Sequence, residues 1–132
     1  MHTIVLYSHS ERADAVLRET AERADALTVL VLAHREEPGK GCCDTRSVLW
    51  NEVCRDLAGA DLTHAALALR GDERAELALL EWSGLHPADS ITAEALRRDA
   101  DEIVLADPKR VGLGRRERRR LMRRSPLPVS GL

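Results

Sequence analysis

Side chains that can act as nucleophile, base and acid follow two apolar runs of this chain. Ser8, His9 and Ser10 come directly after the first run, and Asp107 comes after a later one. A serine becomes a nucleophile when a base lies within hydrogen-bond reach and an acid orients that base. Adjacent residues at the end of a strand seldom face one another, so we predict no catalytic residues here. We interpret Ser8, His9 and Asp107 instead as the rim of a binding crevice.

Three cysteines and a histidine are the other candidates for site chemistry. They are Cys42, Cys43, Cys54 and His34. Cysteine ligands of zinc are typically separated by two or more residues, whereas the side chains of two adjacent residues on an extended loop diverge. We therefore predict no metal site. Three cysteines do not make a disulfide framework, which favours a reducing compartment and a cytoplasmic protein.

An arginine-rich run from residue 115 to residue 124 is the most unusual segment in composition. Closely spaced guanidinium groups can neutralise successive phosphates of a polyanion. The alternative is a solvated helix face that pairs with acidic residues of the same fold. The chain has two Trp, one Tyr and no Phe, and none lies among the arginines to stack on a base, so nucleic acid is the less favoured partner. The candidate polyanion-binding residues are Arg115, Arg116, Arg119, Arg120 and Arg123.

The charges of the chain are divided between its two ends. Residues 1–108 hold 21 acidic and 11 basic residues, a balance of −10, whereas residues 109–132 hold 1 acidic and 9 basic residues, a balance of +8. Such asymmetry is typical of proteins that bind a polyanion. It is equally expected if the basic end lies against the acidic surface of its own fold or of a second subunit.

The spacing of apolar residues divides the chain into alternating strands and helices. With 132 residues we expect one domain, residues 1–132, and no run is long enough to span a membrane. The predicted strands are residues 3–7, 27–33, 75–82, 101–106 and a short extended edge segment at 126–130. The predicted helices are residues 11–24, 47–57 with 62–69, 87–99 and 115–124, the second being either one helix broken near Gly59 or two short helices.

The strand at 27–33 is apolar without alternation, which is the pattern of a parallel strand covered on both faces. Two such strands around a helix make a right-handed βαβ unit. We therefore predict a single α/β domain with a five-stranded, mainly parallel sheet, helices on both faces and residues 3–7 as its central strand. The residues that we expect to face the core from the last two helices are Ile91, Ala95, Leu96, Leu121 and Met122.

A glycine-containing loop follows the strand at 101–106 and leads into a helix. Open parallel sheets bind ligands beyond the carboxyl ends of their strands, where such loops lie. This edge is therefore the predicted ligand site. The candidate residues of the crevice are Tyr7, Ser8, His9, Ser10, Ala33, Ala106, Asp107, Lys109, Arg110, Gly112 and Gly114.

Three stretches, together with the order of the elements, resemble the universal stress protein family. Residues 100–106 read Ala-Asp-Glu-Ile-Val-Leu-Ala, residues 123–129 read Arg-Arg-Ser-Pro-Leu-Pro-Val, and residues 84–91 read Gly-Leu-His-Pro-Ala-Asp-Ser-Ile. The family has similar motifs in its late strand, at its chain end and at the start of the corresponding helix. The resemblance implies a Rossmann-like fold, a role in stress response or regulation, ATP or AMP in the crevice, and a homodimer joined through Leu127 and Val129 of the last strand.

Two departures from that family pattern concern the nucleotide. ATP-binding members have Asp, Gly and Ser after the first strand, where this chain has Ser8-His9-Ser10, and a Gly-x-x-Gly element after the fourth, where it has Ala106-Asp107-Pro108-Lys109. A carboxylate opposes bound phosphates, and proline lacks the amide that would donate to them. We therefore expect a non-enzymatic member that is not a strong ATP binder, the alternative being an ATP- or AMP-binding member that uses Lys109 and the loop glycines.

Overall fold

The fold is seen in a computed structural model, which describes residues 1–36 and 45–131. Strands and helices alternate along the chain, and the predicted loop residues Cys42 and Cys43 lie outside the described residues. The elements are β1 (His2–Leu6), α1 (Glu11–Arg23), β2 (Ala26–His34), α2 (Thr45–Ala68), β3 (Ala75–Trp82), α3 (Pro87–Arg97), β4 (Glu102–Leu105), α4 (Arg115–Arg124) and β5 (Val129–Ser130).

All five strands form one parallel sheet in the order β3-β2-β1-β4-β5. In the centre, Val5 of β1 lies opposite Val29 of β2 on one side and Val104 of β4 on the other. The predicted α/β fold, the central place of the first strand and the edge place of the last strand are therefore confirmed.

The side chains of β1 alternate between the two faces of the sheet, as successive residues of a strand do. Val5 and Tyr7 pack in one apolar cluster with residues of α1 and α2, whereas Ile4 and Leu6 pack in a second cluster with residues of α3 and α4. Both faces of the central strands are covered, which explains why β1 and β2 are apolar without alternation.

Helix α2 runs unbroken from Thr45 to Ala68, so the predicted break near Gly59 does not occur. A glycine inside a helix costs about 1 kcal/mol relative to alanine, and packing of the neighbouring turns offsets that cost. Ala58, directly before Gly59, and Ala65, six residues after it, are buried against the sheet. The tendency of one glycine to interrupt a helix is therefore outweighed by the packing of α2 against the sheet.

Two residues that we predicted to face the core are exposed instead. Leu96 of α3 is 49% exposed and Met122 of α4 is 52% exposed, whereas Ile91, Ala95 and Leu121 are fully buried. Each wrong residue follows directly after a buried one, and one residue turns a helix by about 100°. The buried face of each helix is therefore narrower than the apolar composition indicated.

Tyr7 fixes the end of β1 to α1. Its ring is buried among the residues of the first cluster, and its hydroxyl donates a hydrogen bond to the carboxylate of Asp14 in the first turn of α1. Burial and this hydrogen bond raise the pKa of the Tyr7 hydroxyl above its ordinary value.

The chain end lies close against β4. Gly131 has a φ of +92°, a left-handed conformation that side chains other than glycine seldom adopt. A Cβ at this position would lie 2.2 Å from the backbone oxygen of Leu105. Only glycine fits here while β5 stays paired.

Within the described residues, no helix has the length and apolar character that crossing a membrane requires.

We expect Gly131→Ala to release β5 from β4 and to lower the melting temperature, because backbone atoms block the new Cβ. The left-handed backbone alone costs alanine about 1–2 kcal/mol. Gly59→Ala is the matched control, since nothing lies within 4 Å of its Cβ position, and it should stabilise α2 by about 1 kcal/mol. Thermal unfolding followed by circular dichroism measures both, and equal effects would contradict the close approach.

Tyr7 is the only tyrosine of the chain, so tyrosinate absorbance reports its ionisation alone. Because the folded-state pKa is raised, Tyr7 contributes stability that is complete below about pH 10 and is lost as the pH rises further. We expect no tyrosinate signal from the folded protein near pH 10, whereas the protein in guanidinium should titrate there. A normal titration with the native circular dichroism retained would contradict this assignment.

Candidate functional site

The predicted crevice corresponds to the region beyond the carboxyl ends of β1 and β4, which are neighbours in the sheet. The helix after β1 packs on one face and the helix after β4 packs on the other. The two connections therefore leave in opposite directions, which is the point where open α/β sheets bind ligands. Ala33 and Ala106, also predicted for this site, are buried at the ends of β2 and β4.

A hydrogen bond between Ser10 and Asp107 bridges this crevice. The Ser10 hydroxyl donates to Asp107 Oδ2 at 2.9 Å and accepts the amide of Ala13 at 3.0 Å. It is thus the N-cap of α1 and a contact to the loop after β4 at the same time. Asp107 is only 7% exposed, and its carbonyl accepts the amide of Arg110 at 2.9 Å. A carboxylate therefore occupies the place where β1 and β4 separate.

The ring of His9 turns away from the two serines. It stacks on the ring of His64 of α2, with 3.7 Å between the ring centres and 6° between the planes. Its Nδ1 lies 3.2 Å from the Tyr7 hydroxyl and 3.6 Å from Asp14 Oδ2. His9 is thus held by α1 and α2, and Asp107 by Ser10, so Ser8, His9 and Asp107 do not form a catalytic arrangement.

Asp61 of α2 binds the segment that follows β1. Its carboxylate accepts the amide of His9 at 3.1 Å and the hydroxyl of Ser8 at 3.5 Å. Sequence reasoning missed Asp61 and treated His64 as an isolated residue. Their spacing of three residues on a helix places them on one face, but only the packing of α2 beside β1 brings that face to the crevice.

The loop after β4 holds the remaining candidate residues of the crevice. Lys109 and Arg110 are exposed, and Gly112 has a φ of +82°. Arg118 of α4 donates to the Pro108 carbonyl at 2.8 Å, which fixes the start of the loop. Two carboxylates, Asp14 and Asp61, flank the segment after β1, so negative charge lies on the α1 side of the crevice and positive charge on the outer loop.

Gly114 is the N-cap of α4, and Arg115 is its first residue.

Helix α4 carries the arginines that were predicted to bind a polyanion. Leu121 is the only residue of the helix that is fully buried. Arg120 binds Asp89 of α3 through two hydrogen bonds of 3.0 and 2.9 Å, and this contact lowers the pKa of the Asp89 carboxyl. The four others predicted to bind polyanions make no hydrogen bond or ion pair with any residue that the structure describes. They are Arg115, Arg116, Arg119 and Arg123.

The remaining predicted residues lie apart from the crevice. Leu127 and Val129, predicted for a dimer edge, are half-buried against the second cluster, and β5 pairs only with β4. Cys54 is half-buried on α2. Over residues 1–36 and 45–131, no three His, Cys, Asp or Glu side chains come together in a metal-binding arrangement.

Comparison with solved structures finds the same fold. A universal stress protein family member from Burkholderia pseudomallei superposes with a TM-score of 0.70 at 17% identity, over 96% of this chain and 92% of that one. The Archaeoglobus fulgidus universal stress protein in complex with dAMP gives 0.60 at 25% identity, over 97% and 93%. A family protein from Arabidopsis thaliana with AMP bound gives 0.54 at 14% identity, over 98% and 90%.

No family model matches the sequence, and no curated protein matches it either. The likeness is therefore carried by the structure, and it extends over nearly the whole of both chains. The strand order and the four helices agree with it. The chain thus forms a UspA-like domain with the Rossmann-like fold of the universal stress proteins.

Proposed function

We propose that this protein is a non-enzymatic, cytoplasmic regulator of the stress-response type whose crevice does not bind ATP strongly. The observation that supports this is the hydrogen bond between Ser10 and the buried carboxylate of Asp107. It joins the two sides of the crevice at the end of β4, beside the loop that leads to α4. A ligand that binds there must break the hydrogen bond between Ser10 and Asp107 or occupy space beside it.

Electrostatics adds to this obstacle. The phosphates of ATP are negatively charged, and a like charge at about 4 Å costs about 4 kcal/mol at an effective dielectric constant near 20. Asp107 is a charge of that kind, and Pro108 offers no amide to offset it. Asp14 and Asp61 add further negative charge on the side of α1 and α2. The outer cations Lys109 and Arg110 are exposed, so water and salt screen them.

In the part of the chain that the structure describes, the side chains at the crevice are engaged in contacts that support a regulatory role over a catalytic one. The His9 ring is engaged with Tyr7 and His64, and the Ser10 hydroxyl is engaged with Ala13 and Asp107. These contacts position the first turn of α1, and the imidazole of His9 makes no hydrogen bond to Ser8 or Ser10.

The alternative function is binding of a smaller nucleotide such as AMP. Solved structures of the same fold hold dAMP or AMP, and a monophosphate places less charge near Asp107. Lys109 and Arg110 on the loop after β4 would face its phosphate. This alternative keeps the nucleotide role of the crevice and changes the ligand.

We expect calorimetric titration of the purified protein with ATP to show no saturable binding in the micromolar range, because Asp107 opposes the phosphates. AMP is titrated in parallel, and micromolar binding of AMP alone would favour the alternative. Saturable micromolar binding of ATP would contradict the main proposal.

Asp107→Asn tests the cause of the weak ATP binding. Asparagine keeps an acceptor for Ser10 and removes the charge, so ATP affinity should rise by about tenfold or more. Asp56→Asn is the matched control, because Asp56 is exposed on α2 and its removal changes the net charge equally. An equal gain in both variants would assign the effect to net charge and contradict the role of Asp107.

We also propose that two copies join through β5. Pro128 directs its carbonyl to the amide of Ile103 at 2.9 Å. The amide and carbonyl of the next residue, Val129, therefore face the open edge, as alternation along a strand requires. Unpaired edge groups favour pairing with another strand.

We expect sedimentation analysis to give a concentration-dependent mass approaching twice the chain mass of 14.6 kDa. Val129→Pro removes the outward amide and should give the single-chain mass, with circular dichroism verifying the fold. Leu57→Gln is the control, because Leu57 is a 65% exposed apolar residue of α2, distant from β5 along the chain. Dimer loss with Leu57→Gln, or one chain mass at every concentration, would overturn the β5 interface.

A further inference from the structure

The exposed face of α4 is a row of arginines that the fold does not use. Arg115, Arg116, Arg119 and Arg123 lie within about 100° of one another around the helix axis, since each residue turns the helix by about 100°. They make no hydrogen bond or ion pair with the residues that the structure describes, whereas Arg118 and Arg120 are bound to Pro108 and Asp89. Helix α4 therefore has two kinds of arginine: Arg118 and Arg120 bind other parts of the fold, whereas the four arginines of the row are available to a ligand.

Two shallow cavities lie on either side of Arg119. The first, of about 240 Å³, is lined by Arg115, Arg118 and Arg119 with Pro108 and Met122. The second, of about 340 Å³, is lined by Arg116, Arg119, Arg120 and Arg123 with His86 and Glu117. Arg119 lines both, so an anionic chain that crosses it would meet guanidinium groups continuously.

The one carboxylate of this face is already occupied. Glu117 Oε1 lies 2.8 Å from His86 Nδ1, and its Oε2 accepts the amide of Ala88 at 3.3 Å. Glu117 thus binds the N-terminal end of α3, where a negative charge is stabilised. Its charge is directed into the fold, so it opposes a ligand on the outer face less than a free carboxylate would.

The chemistry of the face indicates a ligand that is recognised by its phosphates alone. Each aromatic residue lies elsewhere: Tyr7 is buried beside α1, Trp50 is on α2, and Trp82 is on β3 at the opposite edge of the sheet. No ring is available on α4 to stack on a base. The row from Arg115 to Arg123 spans about 12 Å at 1.5 Å per residue, which exceeds the reach of one phosphate.

We propose that the outer face of α4 binds a linear chain of phosphates, with successive phosphates in the two cavities and Arg119 between them. The ligand is inorganic polyphosphate, which presents such a row of anionic oxygens and carries no bases. The site shares Pro108 with the loop after β4, but all the arginines that line its two cavities belong to α4, so variants of those arginines test it separately from the crevice.

The test is a binding titration at about 0.15 M salt, near physiological ionic strength, with three probes: long-chain polyphosphate, tripolyphosphate and a DNA duplex. We expect saturable binding of long-chain polyphosphate and much weaker binding of tripolyphosphate, which cannot span both cavities. Tighter binding of the DNA duplex than of long-chain polyphosphate would overturn the choice of polyphosphate as the ligand. Equal affinity for tripolyphosphate, or no binding of any probe even at low salt, would overturn the proposal.

Arg119→Gln/Arg123→Gln is the test variant. It should weaken binding by about tenfold or more, because two charge-assisted contacts are lost. It should also reduce the slope of log affinity against log salt by about 2. Glutamine preserves helix propensity, and circular dichroism verifies the fold.

Arg12→Gln/Arg70→Gln is the matched control, since both arginines are exposed and lie on or after other helices. It removes the same charge and should leave the slope unchanged. An equal loss in the control, or unchanged binding in the test variant, would show that net charge rather than the α4 face attracts the anion.

Discussion

Parallel pairing of β1 with both β2 and β4 is the constraint on which the rest of the structure depends. Leu6 lies opposite Leu30 on one side and Leu105 on the other, and these three strands are buried on both faces. Because neighbouring parallel strands end at the same edge, the segments after β1 and β4 must meet there. The contact between Ser10 and Asp107 follows directly from this pairing, although 97 residues separate the two.

The same constraint decides how much of the molecule could be predicted from the sequence. Apolar runs predict the buried strands well, because a strand covered on both faces has no polar side. The buried faces of the helices were predicted less accurately, as Leu96 and Met122 show. An error of one residue along a helix moves a side chain from the core to the solvent. Gly59 shows the converse case, in which tertiary packing overrides a local signal.

The sequence predicts which residues lie at this edge of the sheet, but it does not predict which side chains contact one another there. Ser8, His9, Ser10 and Asp107 were identified because they follow strands, and the structure brings them to one edge. The partners of His9 could not be identified, since Asp61 and His64 lie more than 50 residues away and α2 determines their approach. Spacing of three on a helix predicts a shared face, but no sequence pattern states which strand that face meets.

The acidic group after β4 and the basic groups of α4 lie on separate surfaces, and this separation has a structural reason. The crevice side holds Asp107, which supports the cap of α1 through Ser10. The exposed face of α4 holds the arginine row, and the helix is attached through Leu121, Glu117, Arg118 and Arg120. An anion attracted by the arginines would meet repulsion from Asp107 if it moved into the crevice. The two surfaces would therefore favour different ligands, and the acidic one would keep the proposed polyanion on the outer face of α4.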